Sequence, residues 1–130
     1  MWCRGIRGAT TARENTEEAI LEATTELLQQ MIAANDIEAE QIAAATFTTT
    51  VDLNAEYPAV AARRLGWVDN ALLCGHEMDV PKGLKKVVRA LVLINTEKDA
   101  KDIKHVYMKE ARQLRPDNAG PAYIEDAGKA

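Results

Sequence analysis

A chain of 130 residues with a net charge of −4 is sized for one domain and lacks the basic excess of a nucleic-acid binder. Its 47% hydrophobic and 28% charged residues are those of a globular protein that buries a core without disulfide or metal staples. Two distant cysteines, Cys3 and Cys74, exclude a disulfide framework or a zinc knuckle, and no apolar run approaches the roughly 18 residues of a membrane span. The first residues hold no basic stretch followed by an apolar one, so no signal peptide is expected, and the chain reads as a cytoplasmic protein.

The chain opens with a short strand over Trp2–Ile6 that should end at Gly8, oddly punctuated by Arg4, Gly5 and Arg7. Apolar residues at Ile20, Ala23, Leu27, Leu28, Met31 and Ile32 then recur at helical spacing. Asn15 with Glu18 suggests a capping box at the start of this helix, and Ala34–Asp36 a stop. Ile42–Val51, rich in threonine and β-branched residues, predicts a strand. Pro58 suits the first turn of a short helix that Gly66 ends. Ala71–Cys74 is a short apolar strand, Asp79–Gly83 a loop, and Val87–Asn95 a strong strand with Arg89 in its middle.

Ile103–Leu114 fits helical spacing, although Ile103–Met108 would serve equally as a strand. Residues 1–117 form the domain, and 118–130 read as a flexible tail. The expected fold is α+β: a small mixed sheet packed by one long helix and short helices. Such a sheet leaves apolar surface and strand edges uncovered, which self-association would cover.

Arg89 shares its strand face with Val87, Leu91 and Leu93, where a guanidinium needs an anion to offset desolvation. Spacing allows either a buried ion pair with one of the chain's own carboxylates or an anion-binding role. Arg7, judged on spacing alone, is a strand-end arginine in solvent. Cys74, His76, Glu77 and Asp79 cluster at the end of a short strand, but Val80 stands where H-E-x-x-H zinc chemistry needs its second histidine, so no metal site is expected. Lys82, Lys85 and Lys86 surround a glycine without phosphate-loop spacing. No nucleophile–base pair is visible. Arginines near apolar segments suit a pocket for a small polyanion whose reaction depends on electrostatics more than on proton transfer.

The segments "RGIRGATT", "CGHEMDVPKGLKKVVRALVLINT" and "IKHVYMKEARQLRPD", in this order, resemble the AroH-class monofunctional chorismate mutases from about Cys3 to Asp117. The resemblance implies isomerisation of chorismate to prephenate on the route to phenylalanine and tyrosine, without a cofactor. It also implies a homotrimer that forms a pseudo-α/β-barrel core, with active sites at subunit interfaces and no nucleic-acid or membrane partner. By the same resemblance Arg89 donates to the ether oxygen, Arg7 holds a substrate carboxylate, and Glu77 accepts from the ring hydroxyl with Cys74 beside it. Tyr107 reaches a carboxylate, Arg63 comes from the adjacent subunit, Tyr57 forms pocket wall, and Leu114 and Arg115 sit near the site. Val60 and Leu73 depart from the lysine and threonine that some members carry. The competing class is a non-enzymatic binder of small carboxylates that uses the same arginine pocket as a sensor, in the trimer the resemblance implies. A second enzyme alternative is a related small-sheet trimer acting on another enol or imine.

Overall fold

The computed structural model describes residues 1–114 and 123–125. Strand β1 spans Trp2–Thr11, so it runs through Gly8 instead of ending there. The glycine serves close approach: a Cβ at Gly8 would lie 2.3 Å from the Met31 sulfur and 3.1 Å from Leu27 Cδ1. Both partners belong to helix α1, Glu17–Asn35, whose apolar stripe of Ile20, Ala23, Leu27, Leu28 and Met31 is buried.

The cap of α1 differs from the expected one. Thr16, not Asn15, is the N-cap, and its hydroxyl accepts the Ala19 N–H at 3.1 Å. The Asn15 side chain instead accepts the backbone N–H groups of Asn54 and Ala55, tying the helix start to a distant loop. At the other end Asp36 adopts a left-handed conformation, φ 52°, and closes the helix near the expected stop.

Further along lie β2 (Ile42–Thr49), α2 (Ala59–Arg64), β3 (Ala71–His76), β4 (Val87–Thr96), β5 (His105–Tyr107) and β6 (Tyr123–Glu125). Pro58 stands immediately before α2, and Gly66 follows it at φ 101°. The ambiguous segment 103–114 divides: three residues pair as β5, and Lys109–Leu114 winds into a 3-10 helix. The expected tail, 118–130, lies outside the described residues except for β6.

Among the described residues the strands form one sheet in the order β3-β2-β4-β1-β5-β6. β4 is antiparallel to both β1 and β2, whereas β2–β3, β1–β5 and β5–β6 are parallel, giving the mixed sheet expected. Ile6, Phe47, Ala90, Val92, Ile94 and Val106 join Leu27, Leu28 and Met31 of α1 in one core, while Ile20 and Ala23 pack with Ala12, Leu53 and Val88 in a second. The opposite sheet face is open, with Leu73 67% and Leu91 42% exposed. No described helix is long and apolar enough to cross a membrane.

A buried asparagine fixes where β5 begins. Asn35, at the end of α1, donates from Nδ2 to the Lys104 carbonyl at 2.8 Å, and its Oδ1 accepts the Lys104 N–H at 2.8 Å. Lys104 immediately precedes β5, so this two-point clamp sets the strand's entry.

The packing at Gly8 yields a stability test. Gly8→Ala should destabilise the fold by about 1–3 kcal/mol, because the methyl must displace Met31 in a filled core. Urea unfolding measures this, and Gly8→Ala with Met31→Ala should cost less than the two single changes added together.

Candidate active site

Pairing register brings the candidate residues together. In the antiparallel β1–β4 pair, Arg7 lies opposite Leu91 and Ala9 opposite Arg89. Arg7 and Arg89 are therefore diagonal neighbours on one face, the open one. This corrects the reading of Arg89 as embedded in an apolar face: its side chain is 41% exposed, so the large desolvation cost does not arise within the single chain. The core-facing residues of β4 are Val88, Ala90, Val92 and Ile94.

On the other side of β4, Thr48 of β2 pairs with Arg89 and also with Gly75 of β3. Just past β3, the Glu77 N–H donates to the Thr49 carbonyl at 2.8 Å, which holds the glutamate beside Thr48 and Arg89. The Thr48 hydroxyl donates to Glu77 Oε2 at 2.5 Å, and Arg89 Nη1 lies 3.4 Å from the same oxygen. Both contacts use Oε2, so the carboxylate's orientation is set while Oε1 faces no described donor. The ion pair with a carboxylate of the chain, one of the two sequence alternatives for Arg89, is thus present, but half-exposed.

Arg7, Thr48, Glu77, Arg89 and Tyr107 line one cavity of about 320 Å³. Tyr57 and Cys74 do not join it; they line a separate cavity of about 410 Å³ with Thr49 and His76, and Cys74 pairs with Phe47 and packs against the core. Leu114 lines a third, of about 290 Å³, which shares Glu77 and Arg89 with the first. Arg63 is exposed on α2 and lines none of these cavities. Arg115 lies outside the described residues. Val60 is half-buried on α2, and Leu73 projects from the open sheet face.

Burial pushes the Cys74 thiol up from its ordinary value, against a backbone hydrogen bond at Ala59 and the Arg63 cation. Cys74 is therefore a neutral thiol at pH 7, able to contribute polarity but not a thiolate. Among the described residues, no three His, Cys, Asp or Glu side chains gather as a metal ion would require.

Two residues escaped the sequence reading. Thr48 looked like ordinary strand composition; its only signal was a hydroxyl in step with Thr46 along β2. His105 lay in the stretch that suited helix or strand alike, and its Nδ1 accepts the backbone N–H of Arg7 at 2.9 Å. Burial and the Arg7 cation hold the imidazole below its ordinary value of 6.5.

Comparison with known proteins identifies the family. Residues 3–118 match the family described as chorismate mutase type I. The chain belongs to that family. It is 49% identical over 115 residues to chorismate mutase AroH of Thermus thermophilus, covering 88% of this chain and 94% of the relative. It is 42% identical over 118 residues to chorismate mutase AroH of Bacillus subtilis (strain 168), covering 90% and 93%. A solved chorismate mutase from Clostridium thermocellum superposes with a TM-score of 0.84 at 46% identity, covering 88% of this chain and all of that one. The α+β fold is thus shared with an enzyme of the family.

The lowered pKa of His105 makes the chorismate mutase fold sensitive to acid. The unfolded chain binds this proton more readily than the native one, so the histidine's contribution is fully present above about pH 6.5. It is lost as pH falls through the depressed native value. Urea midpoints at pH 7.5 and pH 5 should fall in that order, and His105→Asn should narrow the difference.

Proposed function

We infer that this chorismate mutase rearranges chorismate to prephenate in the cavity between Arg7, Glu77, Arg89 and Tyr107. The reaction is a concerted [3,3] shift: the ether carbon–oxygen bond breaks as a carbon–carbon bond forms within one molecule. No proton leaves and no nucleophile adds, so a site without a nucleophile–base pair is sufficient. What such a reaction requires is a folded, chair-like substrate and fixed positive charge where the ether oxygen becomes negative.

The observation that carries this reading is the Arg89–Glu77–Thr48 arrangement. Arg89 is the donor to the ether oxygen, and Thr48 and Glu77 hold its guanidinium side of the cavity in register. Glu77 Oε1 accepts from the ring hydroxyl, and the carboxylate favours the partial positive charge on the ring. Arg7 and Tyr107 take the substrate carboxylates. Leu114 lies beside Glu77 and Arg89, and Tyr57, Cys74 and Arg115 are the remaining substrate-contact residues of this reading.

The cavity is shallow in one chain, and the reading includes a homotrimer built as a pseudo-α/β-barrel with shared sites. Its support is the open sheet face carrying Leu73 and Leu91, and the exposure of Arg63, which is free to serve a neighbouring subunit. A cytoplasmic setting suits its two free cysteines, Cys3 and Cys74.

The loss of chorismate's ultraviolet absorbance, with prephenate converted by acid to phenylpyruvate, measures turnover. Arg89→Ala should lower kcat by about two to three orders of magnitude, corresponding to ~2.7–4 kcal/mol for one preorganised donor. Arg89→Lys should remain poor, since a point ammonium does not reproduce the guanidinium fork. Wild-type protein that binds chorismate without converting it would identify a sensor and end the enzymatic reading.

Light scattering after gel filtration should give a trimer for the native chain. Leu73→Glu should shift it toward monomer by placing charge on the contact face. A stable, fully active monomer would remove the shared-site assembly.

A further inference from the structure

We propose that His105 is a positioning residue for catalysis, whose neutral imidazole sets the backbone of Arg7 and so aims that guanidinium into the cavity. The proposal rests on the reading of Arg7 as a carboxylate holder. β5 pairs with β1 in parallel only at Gly8↔Val106 and Ala9↔Tyr107. The ladder therefore begins one residue past Arg7, whose N–H has no β5 carbonyl in register. The His105 ring fills this gap, with Nδ1 at 2.9 Å from the Arg7 nitrogen. A side chain here takes the place of a backbone partner, and it does so at the residue that bears the cation.

Acceptance at Nδ1 requires the tautomer protonated at Nε2. Burial and the adjacent Arg7 cation both favour the neutral ring. The ring is itself indexed from behind. Asn35 grips both the N–H and the carbonyl of Lys104, the residue before His105. Tyr107 follows two positions later on the same strand and lines the same cavity as Arg7. One short strand thus presents Tyr107 directly and orients Arg7 through His105. Motion at this joint displaces two groups that hold substrate.

Four variants test this: His105→Ala, His105→Asn, His105→Gln and Arg7→Ala, each assayed for kcat and KM together with thermal stability. His105→Ala should lower kcat/KM about tenfold or more, mostly through KM, as expected for a misdirected binding group. Asn places its carbonyl oxygen where Nδ1 sits and should restore kcat/KM to within about threefold; Gln, one methylene longer, should not. In the Arg7→Ala background, His105→Ala should add little further loss, because it acts through Arg7. Nitrogen-15 spectra of the wild type should show protonated Nε2, bare Nδ1, and an Arg7 amide signal that moves in His105→Ala.

Arg7→Ala with unchanged KM would end the carboxylate reading and this proposal together. A damaged Arg7→Ala beside a kinetically normal His105→Ala would overturn the proposal alone. Equal kinetics in the Asn and Gln variants, with stability alone altered, would also overturn it by leaving His105 a purely structural role.

Discussion

The register of β1 against β4 is the constraint on which the site depends. Ten consecutive residue pairs run from Trp2↔Thr96 to Thr11↔Val87 without a bulge. Since strand side chains alternate, a slip of one residue would send Arg7 and Arg89 to opposite faces. The slip is opposed by the core, because the strand that flips would expose its own buried residues, Ile6 of β1 or Ala90, Val92 and Ile94 of β4, and bury its guanidinium. Core packing against α1 therefore fixes the electrostatics on the far face. Gly8 belongs to the same device, since its bare backbone lets Met31 lie directly on the central strand.

On that far face the charges are arranged rather than merely collected. Glu77 bonds to a neutral hydroxyl and to a cation through one oxygen, so its orientation does not depend on the arginine alone. Arg89 remains partly solvated in the single chain and avoids the desolvation cost of full burial. Enclosing this face, by substrate or by a neighbouring subunit, would lower the local dielectric and strengthen each interaction there. The fold thus holds its donors in place before the environment that makes them strong is complete.

Much of the frame was legible in the sequence. The α1 stripe from Ile20 to Met31 and the Val87–Asn95 strand stood out because strong periodicity and β-branched runs report burial directly. The local chemistry was harder to read. Gly8 suggested a stop, although its role is the space for Met31, a contact across more than twenty positions that no local pattern encodes. Arg89 was assigned the apolar face because Leu91 and Leu93 are apolar, yet these leucines line the open side. Composition cannot distinguish a core from an apolar face that the single chain leaves open. Thr48 carried no signal of its own, since threonine is ordinary in strands and its role appears only when β3 delivers Glu77. The segment 103–114 was ambiguous because it is neither a full helix nor a long strand.

The Asn35 clamp also bears on how the chain folds. Its hydrogen bonds to Lys104 span 69 positions, so the last turn of α1 and the residue just before β5 are secured in one event. β5 adds only two residue pairs to β1, against ten between β1 and β4, so it gains little until those intervening strands have arrived. The arm bearing His105 and Tyr107 is therefore expected to lock after the β1–β4–β2 core is in place. A nascent chain would hold a formed core for a time with an unfinished candidate site. Acquisition of activity would then trail acquisition of secondary structure, leaving a compact but catalytically silent species on the path to the native state.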